Sequence, residues 1–266
     1  MTVIATLITK WWSAHASDSF LTTRVVDGSV EQVEDQQSKL VQVDCFRGII
    51  SYFGFARLTP GWDTWQWLMA EARGARKHQS PIIFAQHLQS ELNTHFRRLS
   101  ITDRLGIHFT AYEEVDGYTV PELFFLRNFR NDNSHQEFQL RRELYAHLFP
   151  SRSDRDVIID GHKERRLSVR EALSKENIAL QYFNGEPALY APIAEAVLTA
   201  FRLLYSRGLI GDHESHGTHL AMVRRPVELI SKLVADFVPR NKRTVGGRTH
   251  DLAVSPTGEY KSNTGD

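Results

Sequence analysis

The chain opens on two short stretches in which β-branched, small and aromatic residues recur in the manner of strands, TVIATLIT and WWSAHASDSF, joined around Lys10. A polar loop, DGSVEQVEDQQ, separates them from SKLVQVDCF, which alternates, and GIISYFGFARL, which continues as a more buried strand; residues 1–58 therefore hold four strands with short connections. The period then changes. DTWQWLMAEARGARK predicts a helix opening at the N-cap Asp63, and SPIIFAQHLQSELNTHFRRL a second one with Ser80 as cap and Pro81 in the first turn. In the second, Ile83, Leu88, Leu92, Phe96 and Leu99 keep a helical spacing. GIHFTAYEEVDGYTVPELFFLRNF returns to strand character and predicts a hairpin around Asp116-Gly117.

Residues 131–177 are polar and charge-dense, and read as an insertion on the main fold. It would carry a helix over HQEFQLRRELYAHLF and a capping box from Ser168 to Glu171. Two more helices follow, ALYAPIAEAVLTAFRLLYSRG, ended by Gly208, and HLAMVRRPVELISKLVADFV. The chain closes with TVGGRTHDLAVSPTGEYKS, a strand, a Pro-Thr-Gly turn and a strand stub. Strands, two helices, a hairpin, two helices and strands are segregated runs, which favour antiparallel sheets covered by helices over alternating βαβ units. The expected fold is α+β: a single domain over residues 1–266, arranged as a four-layer αββα sandwich of two mainly antiparallel sheets.

Composition narrows the class. The 266 residues are 41% hydrophobic and 24% charged, as in ordinary globular proteins, and a core of this size needs no disulfide or metal staple. Lysine plus arginine number 32 against 32 acidic residues, so no global field favours nucleic acid or an anionic membrane. A single cysteine, Cys45, leaves no internal disulfide framework and suits a reducing compartment. The start shows no basic n-region leading into an apolar run, and no stretch reaches membrane-spanning length, so the cytoplasm is the expected location.

The order of motifs resembles that of proteasome β subunits and of the peptidase of the bacterial two-component ATP-dependent protease, within the N-terminal nucleophile hydrolases. Met1-Thr2 before a strand resembles the family's nucleophile start, and ASDSF its second strand. QSKLVQVDCFRGIISYFGFA is similar to the lysine-bearing third strand and the fourth strand that ends near a glycine. FTAYEEVDGYTVPELFFL resembles the central hairpin, NGEPALYAPIAEAV the entry to the third helix, and TVGGRTHDLAV the closing strand. The resemblance implies a proteasome-like fold and an N-terminal threonine peptidase in which Thr2, freed by loss of Met1, attacks a peptide carbonyl. A free α-amine titrates near about 7.7–8.0, which suits it as the base for the hydroxyl. In this reading Lys39 is the cation beside Thr2, Asp18 orients Lys39, and backbone N–H groups near Gly54 receive the oxyanion. Leu21, Tyr52 and Ala56 would shape the substrate pocket. No cofactor or metal is called for. A peptide or protein substrate, a homo-oligomer and an ATPase or other regulator are the implied partners. The supporting positions differ from the family pattern: Phe20 replaces an arginine, Tyr182, Phe183 and Asn184 stand where a serine is usual, and Asn241 or Thr244 would replace the residues before the paired glycines. A catalytically silent assembly or interaction module of the same fold, and an amidase acting on a small non-peptide amide, are the alternatives.

Other chemistry has weaker support. Asp18 alone reads as a strand-end cap and Lys39 alone as an edge-strand charge. His213, His216 and His219 lie close together, but not at the H-E-x-x-H spacing of a zinc helix, and read as a polar loop entering a helix. Cys45 reads as a small buried residue. The basic runs are interleaved with acids, as on a solvated face. Trp11, Trp12, Trp62, Trp65 and Trp67 read as packing residues, with Trp11 and Trp12 at a hairpin tip as the alternative of a subunit interface.

Overall fold

A computed structural model describes residues 3–9, 11–25, 30–34, 38–115, 118–130, 134–142, 180–184, 187–210, 214–239 and 245–263. Strands β1 (Ile4–Ile8) and β2 (Ser13–Asp18) form an antiparallel hairpin in which Ile8 faces Ser13 and Ile4 faces Ser17. Strand β12 (Leu180–Asn184) adds to the free edge of β1, while β13 (Thr249–Val254) and the stub β14 (Tyr260–Lys261) add beyond β2. All neighbours in this five-stranded sheet run antiparallel.

A second five-stranded antiparallel sheet holds β5 (Leu40–Val43), β6 (Gly48–Gly54), β9 (Leu105–Val115), β10 (Tyr118–Phe129) and β11 (His135–Arg142), in the order β11-β10-β9-β6-β5. Val115 pairs with Tyr118 on either side of Asp116-Gly117, the site of the expected turn. A small third sheet joins β3 (Phe20–Val25), β4 (Val30–Glu34), β7 (Arg57–Thr59) and β8 (Trp62–Asp63), with β3 and β7 parallel.

Helices α1 (Thr64–Gly74) and α2 (Pro81–Arg98) cover the second sheet, and α3 (Pro187–Ser206) and α4 (His216–Phe237) lie on the first, α3 packing on α4 and β12. The caps are those the sequence predicts. Asp63 accepts the Gln66 N–H at 2.9 Å and Ser80 that of Ile83 at 3.4 Å. Gly208 turns left-handed (φ 64°) just past α3, where Leu209 N–H reaches back to the Leu204 carbonyl at 3.0 Å. The inner face of α2 is Phe84, Ala85, Leu88, Leu92 and Phe96; Ile83 faces outward, 44% exposed, so the buried stripe starts one residue later than the sequence spacing suggests. Each of the fully buried Leu and Phe side chains contributes about 1.5–3 kcal/mol of burial. The two large sheets pack face to face, with β1, β2 and β13 against β6 and β5. The result is an α+β sandwich with helices outside both sheets.

Three expectations are corrected. The polar stretch DGSVEQVEDQQ, read as a loop, carries strand β4, which pairs with β3, so residues 1–58 hold β1–β6 and the start of β7 rather than four strands. HQEFQLRR, read as the start of a helix, is strand β11: Leu140 pairs with Leu126 and Arg142 with Phe124. The backbone of Phe138 is held from α2, its N–H by Asn93 Oδ1 and its carbonyl by Gln89 Nε2, both at 2.7 Å. Residues 134–142 thus belong to the second sheet rather than to an insertion; the rest of that stretch, with the capping box at Ser168, lies outside the described residues. Cys45 is exposed, in a single 3-10 turn (Asp44–Phe46), because Phe46 and not Cys45 turns into the core.

Between the sheets lies a layer of buried polar side chains. Strand β2 contributes Ser13, His15 and Ser17, β1 Thr6, β6 Ser51, and β9 His108 and Thr110. Asn184 of β12 points its amide nitrogen at His108 Nε2 (2.5 Å), which leaves the ring proton on Nδ1, facing Thr6 Oγ1 at 2.9 Å. His15 meets Ser51 Oγ through Nδ1 and Thr110 Oγ1 through Nε2, each at 2.8 Å. Ser13 donates to Thr110 at 2.8 Å. Burial lowers both histidines, His108 to about 3 and His15 well below its ordinary value, the latter helped by repulsion from His108.

Candidate active site

Asp18 stands at the last position of β2, where the strand leaves the first sheet, and is wholly buried. Four chain segments meet at its carboxylate. Val3 N–H donates to Oδ1 at 3.0 Å and the Lys39 ammonium to the same oxygen at 3.0 Å, while Gly246 N–H donates to Oδ2 at 3.1 Å. Lys39 approaches from just before β5, is 1% exposed, and also donates to the Phe20 carbonyl. Backbone bonds lock the same crossing: Asp18 N–H to Val3 carbonyl at 3.3 Å and Ser19 N–H to Gly246 carbonyl at 3.2 Å. Arg248 N–H adds a bond to Ser19 Oγ at 2.9 Å. A buried ion pair survives because these hydrogen bonds satisfy the remaining lone pairs and protons.

The glycine of this crossing is required by geometry. Gly246 has φ 156°, and a Cβ there would run into the ring of Phe20. Phe20 therefore does two things: its carbonyl accepts a hydrogen bond from the Lys39 ammonium and its ring closes over the glycine turn.

Of the residues singled out in the sequence, Asp18 and Lys39 are brought into direct contact from positions 21 residues apart. Thr2 lies outside the described residues; its chain neighbour Val3 is the residue bonded to Asp18. Asn241 and Thr244 also lie outside them. Gly54 ends β6 in a left-handed conformation (φ 92°), backed by the Arg104 carbonyl, which accepts the Phe55 N–H at 2.7 Å. Leu21, Tyr52 and Ala56 come together, each no more than 3% exposed, in the core under α1 and α2, with Val41 and Trp62. Asn184 serves the polar layer through His108.

Other groups fall into packing roles. His219 is buried, its Nδ1 bonded to the Ser215 carbonyl and Nε2 to Thr9 Oγ1, each at 2.8 Å. Ser215 caps α4, so the histidine-rich stretch is a loop entering a helix, with His213 outside the described residues. No grouping of metal-ligand side chains occurs among the described residues. Trp12 is buried and donates to the Glu214 carbonyl at 2.9 Å, and Trp11 stands edge-on to His219. No described helix is long and apolar enough to cross a membrane.

Sequence reasoning missed Ser17 and His250, cross-strand partners on β2 and β13 next to Asp18. Ser17 Oγ and His250 Nε2 are buried without a hydrogen-bond partner among the described residues. Burial first, and then the Lys39 and Arg248 cations, holds the His250 imidazole below its ordinary value. For Ser17 the available signal was the alternation in SAHASD, where Ser13, His15 and Ser17 are polar and the other face is Ala14 and Ala16 up to Asp18.

Neither a family model nor a curated protein matches the sequence. Among solved structures, a chain titled "Thiobacillus denitrificans BPH" superposes with a TM-score of 0.45 at 10% identity, covering 95% of this chain and 97% of its own.

Proposed function

We propose that the protein is an N-terminal threonine hydrolase of the proteasome-like type, cleaving a peptide amide through an acyl-enzyme on Thr2 after removal of Met1. One observation carries this reading: the buried Asp18–Lys39 pair holds the N–H of Val3, the residue bonded to Thr2. A buried cation fixed beside a chain start is what a self-activating hydroxyl needs, since it favours the unprotonated amine that acts as base. In the proposed reaction the Thr2 hydroxyl bonds to the substrate carbonyl carbon and passes its proton to the Thr2 amine. The amine then protonates the leaving nitrogen as the C–N bond breaks, and water releases the acyl group. Backbone N–H groups at Gly54 are the proposed oxyanion donors, and the four-layer N-terminal nucleophile fold, a homo-oligomer and a cytoplasmic location belong to the same reading.

The second reading is a silent assembly or interaction module. It is favoured by Leu21, Tyr52 and Ala56, the residues assigned to a pocket, which are packed into the core. An amidase acting on a small non-peptide amide is the third, since a smaller ligand asks for less open space.

Intact-mass measurement and a threonine-directed covalent probe separate them. The peptidase requires a mature chain starting at Thr2, labelling of wild type but not Thr2→Ala, and turnover of peptide amides. Retained Met1 sinks both hydrolase readings and leaves the module. Labelling of Thr2 with turnover only of small amides selects the amidase.

A further inference from the structure

Asn184, Ile4, Ser17 and His250 form one row across the first sheet, one residue from each of β12, β1, β2 and β13. Directly paired cross-strand residues project from the same face, their Cβ atoms about 4.5–5.5 Å apart. Ile4 packs on Phe53 and Phe125 of the second sheet, so the row faces the space between the sheets. Its end, Ser17 and His250, adjoins Asp18 in the chain and packs toward β5, whose first residue follows Lys39. There two buried polar atoms, Ser17 Oγ and His250 Nε2, belong to paired residues and have no hydrogen-bond partner among the described residues. Buried polar atoms are normally satisfied, and a pair of exceptions at one spot calls for an explanation. His250 as a residue is only half-buried, which gives a proton a route to it.

We propose that His250 is a positioning residue of the Asp18–Lys39 site. As a neutral imidazole it leaves the Lys39 ammonium engaged with Asp18 and the Phe20 carbonyl; on taking a proton from solvent it sets a second cation against Lys39 and loosens that engagement. No covalent bond changes in this step. The charged groups around His250 are Lys39 ahead of β5, Asp18 from β2, Arg248 and Asp251 from its own chain segment, and Arg224 from α4. Asp251 is already engaged by Arg224 at 3.3 Å and by Asn263 N–H at 2.7 Å, and Asp18 by Lys39. The facing row of β6 (Ile49, Ser51, Phe53) carries no charge to offset the cations. The proposal rests on the threonine-hydrolase reading for its effect on turnover, while the coupling between His250 and Lys39 stands apart from it.

The test is an NMR titration of the His250 ring in the full chain, with His250→Gln used to assign its signal. In wild type the ring titrates below the ordinary histidine value, and in Lys39→Met its pKa rises by about half a unit or more. Asp18→Asn/Lys39→Met, which leaves no orphaned charge, stands in if the single variant does not fold and gives a smaller rise, because the Asp18 carboxylate is removed together with the cation. An unmoved pKa overturns the proposal. The second readout is the pH profile of kcat/KM on a peptide amide. Wild type loses activity on the acid side with the slope of two protons, one on the Thr2 amine and one on His250; His250→Gln shows the slope of one. An unchanged slope overturns the positioning role even if the pKa moves. If wild type hydrolyses nothing, the Thr2 reading fails, and the titration alone decides whether His250 senses Lys39.

Discussion

A carboxylate that takes hydrogen bonds from Val3, Lys39 and Gly246 is as much a structural joint as a candidate catalytic group. Removing one charge of such a pair strands the other. Lys39→Met is therefore expected to destabilise the fold by about 3–5 kcal/mol, whereas Asp18→Asn/Lys39→Met, with no stranded charge, recovers part of that loss. Urea unfolding of the three proteins measures it, and equal stability of wild type and Lys39→Met would remove the joint from the account. The two residues were legible in the sequence only through their place in a series of motifs. Taken singly, Asp18 reads as a turn cap and Lys39 as an edge charge, and nothing local signals that both are buried. His250 was not legible, because its significance arises from pairing with Ser17 across 233 residues of chain.

At the scale of elements, strand β13 depends on the turn that leads into it. Gly246 supplies one N–H to Asp18 and one carbonyl to Ser19 while lying against the Phe20 ring. Gly246→Ala puts a methyl group into that ring from a backbone region that L-residues rarely adopt, and is expected to cost about 2–3 kcal/mol. Phe20→Ala in the same chain removes the obstruction, so the double variant should lose less than the sum of the two singles. Additive losses in urea unfolding would show that the ring does not set the glycine requirement. Helix caps, hairpins and the helix-ending Gly208 were readable in advance because their causes are local. Strand β11 was not. Its charged residues suit a helix, but β10 offers an unfilled edge, and Asn93 and Gln89 on α2 take up the Phe138 backbone. Cys45 was misjudged for a related reason: a short turn next to a strand decides which of two adjacent residues faces inward, and Phe46 wins on size.

For the whole molecule, the polar layer between the sheets sets how stability responds to acid. An alternating strand such as SAHASD would ordinarily turn its polar face to water; here that face meets the polar face of β9, and His15 and His108 are sealed in as neutral rings. Both have folded-state pKa values below that of the unfolded chain, His108 at about 3. Between about 6.5, where an unfolded histidine titrates, and the folded value, the unfolded chain binds more protons than the native one. Native stability is thus fully present above that range and is lost as pH falls through it, by about 1.4 kcal/mol per pH unit for each buried histidine. Two such groups make the loss between pH 6 and pH 4 steep relative to a domain stability of about 5–15 kcal/mol. Urea midpoints taken across this range should fall accordingly. His15→Gln/His108→Gln keeps amide groups that can hydrogen-bond in the layer but cannot take up a proton. It should start lower at pH 7, because the ring geometry is lost, and should show a shallower slope on acidification. An unchanged slope would mean that the layer opens to solvent before the histidines titrate, so that the two sheets part as a local event rather than with the whole fold.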